Sequence, residues 1–424
     1  MENAVVISGI GILSPLGIGL EDHITALKDG KSTLRASDKS GFANNIGSVP
    51  DFNPGKYIQN RKSLKFLSRQ NIFGCTAAEL AKLDTDLSLE EIKKQSQATT
   101  LIVGSGFTHS LSLKPVSEAI IPCVDEDGCL DYNKLGDTGY RMLPPLWILG
   151  RLPNTTAGQI SIQNGIKGLN YTVVNGINSG IVAIGEAFLV LRHQRAVRAF
   201  CGAVEDAISP DVFCLMLDEG VISESIHESY PFSVKSKGFI GSEGAAILIL
   251  ETEQEAKERG AKPYAEIIGY SNFYIPDRAD FNCSESLIPH FEKCMVKALE
   301  SSGISADDVD FIQASAGGNS IMDAAEAASI KKLFGKKPWV TTAQSYIGNT
   351  LAASGAISVA ISCLELQNGF IAPILSDNSH LLDQSLNYVL GQALEVDSKI
   401  CLINSFSHLG EISSLVIRKR DIYE

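Results

Sequence analysis

Short apolar runs recur along the chain, most of them edged by glycine, serine or asparagine: "AVVISGIG", "TTLIVGSGF", "NYTVVNG", "VRAFCGAVED", "GAAILILE", "VDFIQASA" and "KICLINSF". Such runs, rich in β-branched residues and without strict alternation, predict strands buried on both faces. Between them lie periodic or uniformly apolar stretches at 181–193, 285–302, 323–334 and 355–367, which predict helices. Strands and helices that alternate in this way predict an α/β fold. The stretch from Ile181 to Leu191 is apolar on every side apart from Glu186. A helix of that kind belongs between layers, not on a surface.

Two of the helical stretches resemble each other. "SGIVAIGEAFLVLRHQ" from Ser179 and "SGAISVAISCLELQNG" from Ser354 both open with Ser-Gly and continue apolar. "TTLIVGSGF" and "VDFIQASAGG" are likewise both strands ending in small residues. The matched order of elements predicts a duplicated architecture, an αβαβα sandwich whose middle layer holds the two apolar helices.

The run "VVNGINSGIVAIG" from Val173 to Gly185 joins a strand to the first of those helices through small residues. A strand–turn–helix elbow usually presents a nucleophile at its tip. Here the tip is Ile177, which has no lone pair with which to attack.

Net charge is −13 over 424 residues, which argues against a general nucleic-acid binder. The nine cysteines are scattered, with no C-x-x-C pair and no Cys/His cluster at zinc spacing, so reduced thiols, no metal and a cytoplasmic location are expected. No run reaches the ~18–20 apolar residues that span a bilayer. The opening "AVVISGIGILSPLG" lacks a basic flank and is broken by glycine and proline, so it reads as a core strand and not as a leader. Gly9 and Gly11 do not continue into a dinucleotide fingerprint, because Ser14 takes the third position. The segment 107–152 is irregular, and its "DEDGCLD" reads as a solvated turn, since a calcium loop needs further acids that are absent.

Six ordered runs carry a family resemblance across nearly the whole length. They are "VVISGIGILSPLG", "LPNTTAGQISIQNGIKG", "FCGAVEDAISP", "GFIGSEGAAILILE", "TAQSYIGNTLAASGAISV" and "NSFSHLGEISSLV". Together they resemble the thiolase-fold β-ketoacyl synthases, the condensing enzymes of fatty acid and polyketide synthesis. The resemblance implies a five-layer αβαβα sandwich of two halves, 1–255 and 256–424, with no cofactor. It also implies a cysteine at the elbow, two histidines that polarise the malonyl carbonyl, and a supporting lysine. This sequence has none of them: the positions hold Ile177, Ser315, Asn349 and Gln344 respectively. The glycine-rich gate is altered too, with Ser407, His408 and Leu409 after Phe406.

Loss of all four groups points to the degenerate member of a ketosynthase pair, the chain length factor of type II polyketide systems, aryl polyene or aromatic. Such a subunit pairs with an intact ketosynthase as a heterodimer and walls its acyl tunnel. These factors often carry glutamine at the elbow, so isoleucine argues against any decarboxylase role. The wall would come from Phe107, Thr108, His109, Met142, Leu146 and Trp147, with Phe406 and His408 at the gate; ordinary loop packing is the competing reading. The basic run "NRKSLKFLSRQ" (Arg61, Lys62, Lys65, Arg69) is the candidate dock for an acidic acyl carrier protein, or else a solvated helix face. Two other functions stay open: an acyltransferase or hydrolase using Ser315 or His408, and a scaffold homodimer.

Overall fold

Ten strands frame the computed structural model, which describes residues 4–37, 44–106, 113–143, 146–223, 225–376 and 380–420. Five lie in the first half of the chain: β1 (Val5–Ser14), β2 (Thr99–Ser105), β3 (Asn170–Val173), β4 (Arg198–Asp206) and β5 (Glu243–Thr252). They pair in the order β3-β2-β4-β5-β1. The second half repeats them as β6 (Ala265–Tyr274), β7 (Phe311–Gln313), β8 (Trp339–Thr341), β9 (Ile400–Phe406) and β10 (Glu411–Lys419), in the order β8-β7-β9-β10-β6. In both halves the first three strands of that order are parallel and the last two join antiparallel. An identical order and polarity is the imprint of duplication. β1 and β6 join the two sheets through a three-residue antiparallel pairing, Val5–Ile7 with Ala265–Ile267.

Five helices complete the layers: α1 (Arg69–Asp84), α2 (Ser179–Arg192), α3 (Ser284–Ser302), α4 (Ser320–Phe334) and α5 (Ser354–Asn368). α2 and α5 pack on each other between the sheets, and every residue of α5 from Ser354 to Leu366 is buried. α1 covers the outer face of the first sheet, and α3, with α4 beside it, covers that of the second. The αβαβα arrangement expected from the two apolar helices is the one observed.

Small residues set the layer spacing. A Cβ added at Gly104 of β2 would stand 2.5 Å from the Ser179 carbonyl group at the head of α2. Only hydrogen fits there.

β7 is shorter than its apolar run suggests. After Gln313 the backbone leaves the sheet, and the N–H groups of Ser315, Gly317 and Gly318 bond to the carboxyls of Glu326 and Asp323. The "DEDGCLD" stretch is an exposed turn in which Asp125 Oδ1 accepts the N–H groups of Asp127 and Cys129. Among the described residues no His, Cys, Asp or Glu cluster could hold a metal ion, and no helix is long and apolar enough to cross a membrane.

Candidate functional site

The elbow forms as its sequence requires. Gly176 takes a φ of 53°, a left-handed conformation that favours glycine, and a single 3₁₀ turn, Gly176–Asn178, leads into α2. The Ser179 hydroxyl ties the turn, accepting the Asn175 N–H at 2.8 Å and donating to the Gly176 carbonyl at 2.7 Å. Asn178 pins it to the second half, its Nδ2 donating to the Ser405 carbonyl and its Oδ1 accepting the Ser405 hydroxyl. Ile177 at the tip is therefore held in place and is only 6% exposed.

Ser315, Gln344, Asn349, Phe406 and His408 line one cleft of about 390 Å³ together with Ile177. Four segments far apart in sequence converge on that space, as the motifs imply. Neither a thiol nor an amine is among them. Ser315 accepts the Phe406 N–H at 2.8 Å and donates its own proton to the Phe406 carbonyl at 3.2 Å, so no base receives it. Gln344 Nε2 donates to the Ser315 carbonyl, and its Oε1 is buried without a hydrogen bond. Asn349 Oδ1 accepts the Leu351 N–H and the Ser354 hydroxyl, which commits its oxygen to the loop before α5. Amides and an isoleucine neither take up nor release a proton near neutral pH. Phe406 stacks on Phe291, with ring centroids 4.1 Å apart, and His408 is half-buried with its ring 6.3 Å from that of Phe239.

Two carboxyls at the back of the cleft act as backbone clamps. Asp323 receives the N–H groups of Phe232, Gly317 and Gly318. Glu326 Oε1 receives the Ser315 N–H and Asn404 Nδ2, each at 2.9 Å. Burial raises Asp323 to about 7 and Glu326 from its ordinary 4.5 to about 8. The folded protein therefore keeps a proton on Glu326 that the unfolded chain loses, and stability falls as pH rises from about 4.5 to about 8. Glu326→Gln preserves both accepted bonds through its amide oxygen. Its melting temperature should fall less steeply over that window, by one proton's share of the slope, about 1.4 kcal/mol per pH unit. Parallel pH profiles of variant and wild type would refute this assignment.

A second cavity of about 520 Å³ adjoins the first, with Ile177 and His408 on both linings. Its wall is mostly apolar: Val212, Leu215, Met216, Leu351 and Leu409, with Gly106 and Gly176. Glu205, buried and raised to about 8 by that burial, also faces it. Val212, Leu215 and Met216 lie on the helix Pro210–Asp218, which the sequence reading did not single out. "FCGAVEDAISP" marks where that helix begins, but nothing local shows which side opens onto a cavity.

Phe107, Thr108 and His109 lie outside the described residues. Met142, Leu146 and Trp147 line neither cavity. Met142 and Leu146 are more than half exposed, and Trp147 carries the Arg151 guanidinium over its ring. Arg61, Lys62 and Lys65 are exposed. Arg69 differs from them: its guanidinium grips the fully buried Glu243 carboxylate through Nε at 2.5 Å and Nη2 at 2.6 Å.

Known proteins show the same architecture. The chain is 29% identical over 433 residues to 3-oxoacyl-[acyl-carrier-protein] synthase 2 of Coxiella burnetii, covering 99% of each. It is 28% identical over 399 residues to putative polyketide beta-ketoacyl synthase 1 of Streptomyces cyaneus, covering 92% of each. The solved ishigamide ketosynthase/chain length factor superposes with a TM-score of 0.84 at 23% identity, over 99% of this chain and 100% of that one, which speaks to the fold alone. Residues 2–256 match the beta-ketoacyl synthase N-terminal domain and residues 264–377 its C-terminal domain. The chain belongs to the β-ketoacyl synthase family.

Proposed function

We propose that this chain is a non-catalytic subunit that pairs with a catalytically intact ketosynthase and shapes the acyl tunnel of a type II polyketide system. One observation carries the reading: the condensing cleft is retained in full outline while Ile177, Ser315, Gln344 and Asn349 supply neither nucleophile nor proton carrier. The apolar cavity beyond Ile177 has the character of an acyl-binding wall. Ile121, Tyr140, Met142 and Leu146, all exposed on the 113–151 segment, are apolar surface that a partner would cover. Arg61, Lys62 and Lys65 form the exposed positive patch for an acidic acyl carrier protein on a chain whose net charge is otherwise negative.

Co-expression with a ketosynthase that keeps its cysteine and two histidines tests the reading. A one-to-one complex that elongates malonyl thioesters is expected. Met216→Trp, which fills part of the 520 Å³ cavity, should shorten the products by one or more two-carbon units, as read by mass spectrometry. A ketosynthase whose activity and product length ignore this chain would refute it.

A further inference from the structure

The two halves repeat one turn as well as one strand order. Ser179 at the head of α2 accepts the Asn175 N–H, and Ser354 at the head of α5 accepts the Thr350 N–H at 3.0 Å. Counted back from those two serines, Leu351 stands where Gly176 stands. Both are left-handed, with φ of 42° at Leu351 and 53° at Gly176. Glycine adopts that conformation freely, whereas leucine is strained in it and persists there only where its surroundings hold it.

Gly176 has no room for a side chain, because a Cβ there would stand 2.7 Å from the Glu411 carboxylate. Leu351 does have room. Its side chain lines the apolar cavity of about 520 Å³ beside Val212, Leu215 and Met216, and packs against the buried cluster that contains Val212 and Met216. Asn349 holds its backbone. The Asn349 Oδ1 accepts the Leu351 N–H at 2.8 Å, the two-residue reach of an Asx turn, and the Ser354 hydroxyl at 3.0 Å. Asn349 is itself fixed, since its N–H donates to the Ile240 carbonyl and its carbonyl accepts the Ser242 N–H. A side chain that lines the cleft thus sets the backbone of one that lines the cavity.

We infer that Asn349 is a positioning residue for product length: its amide oxygen keeps Leu351 in the left-handed conformation that carries the leucine side chain onto the cavity wall. The inference rests on the acyl-tunnel reading above. Without that oxygen the strained turn relaxes toward an ordinary negative φ, and a change of that size re-aims the Leu351 side chain. The cavity then deepens. On this account asparagine at the former histidine position serves shape, through a bond that needs no proton transfer.

Two readouts on the full chain test this. In complex with an intact ketosynthase, Leu351→Gly and Asn349→Ala should each lengthen the products by one or more two-carbon units. The double variant should go no further than either alone, and Asn349→Asp, which keeps the accepting oxygen, should retain the wild-type length. Thermal denaturation of the chain by itself gives the second readout. Asn349→Ala should lower the melting temperature about twofold more, or better, in the wild-type background than in the Leu351→Gly background, because glycine needs no holding. Equal losses in the two backgrounds overturn the role of Asn349. So does a product length that answers to Met216→Trp but not to Leu351→Gly or Asn349→Ala. The proposed function fails separately, by absence of any complex with a ketosynthase, and the melting comparison still decides whether Asn349 holds Leu351.

Discussion

Replacing Ile177 by cysteine is expected to give a chain that takes an acyl group from a thioester and then stops. The new thiol would stand at the amino terminus of α2, where the helix dipole favours a thiolate. The adjoining apolar cavity of about 520 Å³ would receive the acyl chain. Condensation needs more, because charge develops on the malonyl carbonyl oxygen as carbon dioxide leaves. The Ser315 proton is directed to the Phe406 carbonyl, and the Asn349 oxygen accepts two bonds from its own loop, so the Asn349 amide N–H is left as a single neutral donor where the family has two histidines. Removing one such donor elsewhere costs about 10²–10³ in turnover. Intact-protein mass spectrometry should show an acyl adduct on the variant, with malonyl decarboxylation at background. Efficient elongation by the single variant would mean that the remaining residues still catalyse.

Gly104→Val is expected to prevent accumulation of folded protein. The added Cβ would meet the carbonyl carbon and oxygen of Ser179 at 2.5 Å and the Gly180 nitrogen at 2.8 Å. All three are backbone atoms, so no side chain can swing aside. β2 and the elbow would have to part, and overpacking of this kind costs about 3 kcal/mol or more. Against a total stability of about 5–15 kcal/mol, that loss is large. Soluble yield and thermal denaturation measure it, with Gly104→Ala as the milder step. A valine variant that melts within a few degrees of wild type would show that the layers can separate at little cost.

Much of the fold was legible because buried strands and the two central helices are apolar on all sides. The helix expected over 355–367 is observed at Ser354–Asn368, and that over 285–302 at Ser284–Ser302. The strand order was not legible, since β2 pairs with β4 across roughly a hundred residues and only the folded chain shows that both halves repeat one order. The four altered site positions were found through their flanking motifs, and the fold brings them together. The clamping acids Asp323 and Glu326 were missed because a carboxyl that receives backbone N–H groups looks, in sequence, like any surface acid. Arg69 reads as one of a basic run, yet Glu243, far away along the chain, takes up its guanidinium. Glu186 stood out as the exception in an apolar helix, but its contact with Tyr171 depends on how β3 lies beside α2.

The most direct test is to supply the purified wild-type chain, free of other ketosynthases, with acyl and malonyl thioesters on acyl carrier protein. Mass spectrometry should find no β-ketoacyl product and no acyl group on the polypeptide, with elongation appearing only when an intact ketosynthase is added. A longer β-ketoacyl thioester formed by this chain alone would contradict a cleft whose attacking position is hydrocarbon.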